Sequence, residues 1–417
     1  MRPAARLQMA IEILDALEST DQPLDRFLRD WFRTRRFAGS KDRAAISERI
    51  FEIARHRASF AWRIGSKTPR ALVIASVLQE GYAPERYFCG EGYGPAALSA
   101  NERSAIATPP AGEPPLHVRG EFPHFLEPEL TCAFGANLLA EMLALQARAP
   151  VDLRVNALKR ERTDVLEELR GAGFAAEAAP FSPVGIRLAS ATPALGTSAP
   201  FENGAFEFQD EAAQIAALLC AAKPCERVLD LAAGAGGKSL ALAAMMKNQG
   251  EIVACDIRQT ALQRLALRAA RAGATIIQTH LLNPDPPQGS FDVVLVDAPC
   301  SGTGTWRRQP ELRWRLTPET LAMRITTQDA LLDQAANRVR ARGRLIYATC
   351  SLLPCENEDR IEAFLSRHTE FAVRPCAEVW RESVDTAVPK GMARFFRASP
   401  LTTGTDGFFT CVMEKTT

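Results

Sequence analysis

No run of eighteen apolar residues occurs in this 417-residue chain, so no stretch is long enough to cross a bilayer as a helix. The N-terminus does not read as a secretion signal either. Leu7, Ile11, Leu14 and Leu17 recur at helical spacing, but Glu12, Asp15 and Glu18 interrupt them. A cytoplasmic protein is the expectation. The ten cysteines include no C-x-x-C pair and are too few for a disulfide framework. Five histidines lie scattered without HExxH spacing, so no metal site is expected. Charge is balanced, 50 Lys and Arg against 49 Asp and Glu, and composition alone does not declare a nucleic-acid binder. Internal repeats and long low-complexity tracts are absent, which excludes a solenoid.

What is present suits a globular chain of two or three domains, 47% hydrophobic and 24% charged. Its charge is unevenly placed. Residues 1–70 carry fifteen Lys and Arg against nine acids, and residues 305–344 carry nine Arg against four acids. Either stretch could attract phosphate or simply form a solvated helix face. Apolar spacing of three and four predicts an all-α domain over residues 1–145, loop-rich between 81 and 120. A small α+β unit follows over 146–204, with strands Val151–Val155 and Gly185–Leu188 and a helix over 160–171. From about Phe206 strand and helix alternate behind a glycine-rich first turn, the pattern of a doubly wound α/β domain over 205–417.

That turn, Ala232-Ala233-Gly234-Ala235-Gly236-Gly237-Lys238-Ser239, follows a short strand ending at Asp230 and precedes an Ala/Leu/Met-rich helix. Glycines there let backbone approach a ligand and offer amide groups at a helix start. A phosphate-binding P-loop needs glycine where Ala232 stands, and a dinucleotide fingerprint needs one where Ser239 stands. S-adenosylmethionine, which has no pyrophosphate to cradle, is the remaining reading. Asp256 ends the next strand 22 residues after Gly234, placed to accept hydrogen bonds from ribose hydroxyls or to cap a helix.

Two cysteines lie fifty residues apart, in Asp297-Ala298-Pro299-Cys300-Ser301-Gly302 and Tyr347-Ala348-Thr349-Cys350-Ser351. Each follows a strand, Phe291–Asp297 and 344–348, with a helix expected over 321–340 between them. A βαβ unit of this kind sets its strands parallel and adjacent, so the loops and their thiols should converge on one crevice. A thiolate there can add to C6 of a pyrimidine and make C5 nucleophilic enough to take a methyl group. Amino-group methylases place Asp/Asn-Pro-Pro-Tyr/Phe at this strand end. Asp297-Ala298-Pro299-Cys300 favours chemistry at ring carbon instead.

These segments, together with Gln209-Asp210-Glu211-Ala212, Arg307-Arg308-Gln309-Pro310-Glu311-Leu312-Arg313-Trp314 and Thr405-Asp406-Gly407-Phe408-Phe409, resemble the successive motifs of RNA cytosine-5 methyltransferases. The nearest resemblance is to the bacterial Sun, Fmu or RsmB type. It implies a Rossmann-like methyltransferase domain behind an all-α NusB-like RNA-binding domain and a small RNA-recognition-type subdomain. It also implies S-adenosyl-L-methionine as cofactor, ribosomal RNA as partner, and a monomer. Cys350 would be the nucleophile, Cys300 would assist product release, Asp297 would bond the cytosine edge, and Lys238 would reach the catalytic pocket. Asp230, Ala232, Ala233, Gly234, Gly236, Gly237, Lys238, Asp256, Arg258 and Asp297 would surround the cofactor. The chain departs from the family where Ala235 replaces a proline and where no acid ends the third strand, Gln278-Thr279-His280-Leu281. Asp285 lies further on, and the adenine-side contact stays open. Pro354-Cys355-Glu356-Asn357 mimics two motifs of DNA cytosine methylases, but their adjacency reads as a helix start and Cys355 is not expected to be catalytic. A transfer RNA methyltransferase and a non-catalytic RNA-binding assembly factor stand as alternatives. A nicotinamide-dependent oxidoreductase is disfavoured by Ser239 and the thiol pair.

Overall fold

A computed structural model describes residues 1–189, 193–282 and 287–416, which leaves Asp285 outside the described residues. Contacts divide the chain into one unit of Met1–Ala147 with Trp306–Leu316 and another of Arg148–Thr305 with Thr317–Thr417. The eleven residues from Trp306 to Leu316 are therefore not part of the α/β body in which sequence order places them. Among the described residues no helix is long and apolar enough to cross a membrane.

The first unit is helical. Helices Pro3–Leu17, Leu24–Arg33, Ser40–Arg55, Arg57–Ile64 and Pro69–Gln79 surround a core that includes Ile13, Ile50, Ile53, Leu72 and Ile74. The last of these helices starts at a Thr68 cap with proline at its first position, and Ala71 to Val77 are all buried. Trp306–Leu316 closes the unit through hydrogen bonds that its own sequence position would not reveal. Trp314 Nε1 donates to the carbonyl of Ala54 at 2.7 Å and Arg313 to that of Arg55 at 3.2 Å. Both carbonyls are orphans at the C-terminal end of Ser40–Arg55, where a cation is favoured. Glu311 in turn accepts from the amide of Leu24 at 2.9 Å, at the start of Leu24–Arg33.

The second unit holds two sheets. In the smaller, strands β1 (Val151–Val155), β2 (Ala176–Ala178), β3 (Gly185–Leu188) and β4 (Phe206–Phe208) run antiparallel in the order β2-β3-β1-β4. Helix Arg162–Gly171 packs Val165 and Leu169 into their core. The larger sheet contains β5 (Arg227–Asp230), β6 (Glu251–Asp256), β7 (Ile277–Leu281), β8 (Phe291–Asp297), β9 (Val339–Thr349), β10 (Phe371–Arg374), β11 (Phe396–Ala398) and β12 (Phe408–Lys415). Its order is β10-β12-β9-β8-β5-β6-β7, with β11 on β12. β5 to β9 are parallel and β12 is antiparallel to β9. Alternate residues feed two cores. Val228, Ile252, Val293 and Ile346 pack on one face, Leu229, Val253, Val294 and Leu345 on the other. Strand order reverses between β5 and β8, and ligands bind outside the carboxyl ends of strands at such a point.

Candidate active site

A cleft of about 670 Å³ opens at that reversal, between the glycine turn after β5 and the loops after β6, β8 and β9. Ala232, Ala233, Gly234, Gly237, Lys238, Asp256, Arg258, Asp297, Cys300 and Cys350 line it. Asp230 and Gly236, expected among the lining residues, shape it from behind. Gly236 has a φ of 82°, and a Cβ there would lie 2.4 Å from Leu265 Cγ, so glycine is required both for conformation and for space. Asp230 is buried and accepts from the Ser239 hydroxyl at 2.7 Å, while its Oδ1 has no hydrogen-bond partner among the described residues. Burial pushes its carboxyl up to about 7, against the pull of the Ser239 hydrogen bond.

Asp256 differs from its sequence reading. Its carboxylate already accepts from Gly234 N at 2.9 Å and from Arg258 N at 2.8 Å, and the Arg258 guanidinium reaches both oxygens at 3.0 and 3.1 Å. Burial raises this carboxyl, but the Arg258 hydrogen bonds outweigh it and the net shift is downward. Four donors fill the acceptor positions of one carboxylate. Asp256 therefore braces the glycine turn, its oxygens covered by the largely exposed Arg258 side chain. Nor does Asp256 cap a helix, since Gln259–Ala272 starts at Arg258 with no side-chain cap.

At the other end, adjacency of β8 and β9 brings the two thiols together, Cys300 Sγ standing 3.3 Å from Cys350 Sγ. The Cys350 sulfur and burial raise the Cys300 thiol well above the ordinary cysteine range. Cys220, Cys255, Cys376 and Cys411 are buried in the cores of the sheet, and burial pushes the first three up to about 12. Cys300 and Cys350, by contrast, line the cleft. Lys238 Nζ lies 2.6 Å from Asp297 Oδ2 and 4.9 Å from the centre of the Phe408 ring, between the turn and the thiol loops.

Sequence reasoning passed over the residues that hold those loops. Glu356, within the motif set aside as a mimic, is fully buried and accepts from Ser301 N at 2.8 Å, from the Ser301 hydroxyl, and from Gln328 Nε2 at 3.1 Å. Asn357 accepts from Thr349 Oγ1 at 2.6 Å and donates to Ser351 O at 3.0 Å. Pro354–Glu356 is one short 3₁₀ turn before helix Glu358–Arg367, as a helix start should be, but the Glu356 and Asn357 side chains bond to the thiol loops. Arg154 from β1 was also missed as a link to the cleft. Buried, it donates to Gln209 Oε1 and to the carbonyl of Gly237, tying the small sheet to the glycine turn. Arg324, Thr327 and Leu331, at helical spacing on Pro318–Ala336, complete the cleft wall.

The basic stretch 305–344 is divided: Arg324 is exposed and lines the cleft, whereas other arginines are tied into the protein. Arg307 and Arg313 are buried, Arg315 donates to the carbonyls of Asp21 and Gln22, and Arg340 and Arg344 pair with Asp292 and Glu226. Among the described residues one group has metal-ligand proximity, His117, His124 and Glu127 in the helical unit, whose ligand atoms lie within 4.8 Å of one another.

Comparison with known proteins agrees with this geometry. A family model described as 16S rRNA methyltransferase RsmB/F matches residues 217–414, and a RsmF/B-like ferredoxin-like domain matches 122–194. The probable ribosomal RNA small subunit methyltransferase B of Synechocystis is 37% identical over 64% of this chain and 60% of its own length. Its Bacillus subtilis counterpart is 32% identical over 70% of this chain and 66% of its own length, so these two matches span slightly less than two thirds of the relatives. The ribosomal RNA small subunit methyltransferase B of Sodalis glossinidius is 32% identical over 72% of this chain and 67% of its own length. Among solved structures, PH0851 superposes with a TM-score of 0.78 at 25% identity, covering 100% of this chain and 99% of its own. With the doubly wound sheet, the glycine turn and the ordered motifs, these matches show that the chain belongs to the 16S rRNA methyltransferase RsmB/F family.

Proposed function

We propose that this chain is an S-adenosyl-L-methionine-dependent RNA cytosine-5 methyltransferase acting on small-subunit ribosomal RNA. The observation that carries the reading is the pair of thiols 3.3 Å apart at the end of a cleft that starts at a glycine turn. The turn suits an adenosylated ligand, because no side chain larger than alanine lines it between Ala232 and Gly237. Ala232, Ala233, Gly234, Gly237 and Asp256 would hold that ligand. When bound, S-adenosyl-L-methionine supplies an electrophilic methyl group for C5 of the base.

The chain's own residues do the rest. Cys350 Sγ adds to C6 of cytosine, breaking the C5–C6 π bond and loading C5 with electron density. Asp297, fixed by Lys238, accepts from the cytosine amino edge. Once C5 carries its methyl group, loss of the C5 proton to water restores the double bond and expels the Cys350 sulfur. Cys300, kept as a thiol by its neighbour and by burial, donates a proton to the departing sulfur. The helical unit and the small sheet supply RNA affinity in this reading. A base in a loop or an unfolded assembly intermediate is the easier target, since flipping one from a helix costs a few kcal/mol. That the named relatives are ribosomal RNA methyltransferases favours ribosomal over transfer RNA.

The test separates the two cysteines. Cys350→Ala should abolish methylation of ribosomal RNA and leave no protein–RNA adduct. Cys300→Ala should accumulate a denaturation-resistant adduct, seen as a shifted band on a denaturing gel. Methylation that survives in both single variants would sink the thiol mechanism. Adducts with Cys350→Ala and none with Cys300→Ala would reverse the roles.

A further inference from the structure

We infer that Glu356 is a positioning residue, holding the Cys300 loop at the separation from Cys350 that release of the product requires. The inference rests on the proposed function and deepens it.

The sheet itself stops short of the thiols. The last hydrogen bond between the β8 and β9 ends runs from Ala298 N to Ala348 O at 2.8 Å. Beyond it, residues 299–303 have left the ladder, and strand pairing no longer sets where Cys300 points. Glu356 takes over there. Its carboxylate accepts from both the amide and the hydroxyl of Ser301, the residue next to Cys300, and from Gln328, whose same nitrogen donates to Pro299 O at 3.0 Å. One buried carboxylate thus fixes the chain on both sides of Cys300. The backbone carbonyl of Glu356 accepts from Tyr347 Oη at 2.7 Å, which anchors the clamp to β9. The adjacent Asn357 holds Thr349 and Ser351 on both sides of Cys350. Ser301 and Ser351 hydroxyls, 3.2 Å apart, join the two halves. The two loops are therefore both referenced to one dipeptide, alongside the direct ties of Gly304 N to Cys350 O at 2.9 Å and Leu352 N to Thr303 Oγ1 at 2.8 Å. Glu356 itself is not among the residues lining the cleft, so it acts through Cys300 and not on the substrate.

A carboxylate suits this task because it can accept from an amide, a hydroxyl and an amide side chain at once. Glutamine keeps an acceptor for the Ser301 amide and can donate to the Ser301 hydroxyl, whereas alanine loses all three bonds.

Two readouts on the full-length protein test the inference. The first needs no RNA: diamide takes up two hydrogens as Cys300 and Cys350 join, and peptide mass analysis reports the rate. Glu356→Ala should slow that disulfide by about tenfold or more, since a displacement of about 1 Å at reacting atoms is costly, and Glu356→Gln should recover most of it. The second is turnover with ribosomal RNA. Glu356→Ala should behave as Cys300→Ala does, with methylation falling on the order of a hundredfold, adduct accumulating, and S-adenosyl-L-homocysteine affinity unchanged. A wild-type disulfide rate in Glu356→Ala overturns the inference whatever the RNA chemistry. A slowed disulfide with no adduct in any variant leaves the positioning role standing and overturns the covalent reading instead. Should Glu356→Ala fail to fold, Ser301→Ala removes one of the three bonds and should slow the disulfide measurably; an unchanged rate there would equally refute the role.

Discussion

At the glycine-turn end of the cleft, main chain makes the surface: Gly234 and Gly236 have positive φ, and the amide of Gly234 reaches back to Asp256. At the thiol end, side chains do the holding, with Glu356, Asn357, Gln328, Ser301 and Thr349 joined in one buried network. The difference matches what each end has to do in the proposed reaction. A cofactor surface needs room and amide groups, which small residues provide. Two sulfurs that act on one base need a fixed separation, which only converging hydrogen bonds provide. Substitutions at the first end should therefore act through conformation and space, and at the second through lost partners.

The largest effect at the glycine end should come from Gly236→Ala. It combines a left-handed backbone with a contact of 2.4 Å to Leu265, and together these should cost about 3 kcal/mol of stability by chemical denaturation. A loss below about 1 kcal/mol would show that the turn is looser than drawn. Next comes Asp256→Ala, which removes both the brace on Gly234 and the Arg258 pairing, and should weaken S-adenosyl-L-homocysteine binding by about 1–3 kcal/mol in calorimetry. Arg258→Ala sharpens the point. If Arg258 competes with the ribose for Asp256, its removal should leave affinity equal or tighter. A loss as large as that of Asp256→Ala would make Arg258 itself a ligand contact.

Much of this was legible in the sequence, because the chemistry sits at the ends of buried apolar strands bounded by turn residues. The apolar run in Phe291–Asp297 and a helical stretch before 344–348 are enough to read a βαβ unit, and parallel pairing of β8 and β9 then brings Cys300 to Cys350. Glu356 was not legible. Its role depends on a 3₁₀ turn folding a carboxylate back under two loops, and no local pattern encodes that. Trp306–Leu316 was misplaced for a related reason. Arg313 and Trp314 lie in a basic stretch whose charge suggests either phosphate attraction or a solvated helix face, yet they satisfy the carbonyls of Arg55 and Ala54, some 260 residues earlier in the chain. Removing residues 1–145 would strip those partners from buried Arg313, so a truncated protein should lose stability as well as RNA affinity, contrary to a simple modular reading. Differential scanning calorimetry of the truncated chain would show it.

The most diagnostic predicted effect at the glycine end, and near neutral pH a small one, is a pH dependence set by Asp230. Burial holds its carboxyl at about 7, above its value in the unfolded chain, so the folded state retains a proton that the unfolded state has lost. Its contribution to stability is therefore present at low pH and is lost as pH rises through about 7. Binding of a ligand that carries an ammonium group should run the other way, because the ammonium favours the ionised carboxylate. Affinity for S-adenosyl-L-homocysteine should then fall by up to about tenfold for each pH unit below 7, about 1.4 kcal/mol, and level off above it. Asp230→Asn keeps the Ser239 partner but cannot ionise, and both slopes should vanish in it. If the binding slope survived in Asp230→Asn, the titrating group would lie elsewhere in the cleft, and Asp230 would shape the turn without sensing what it holds.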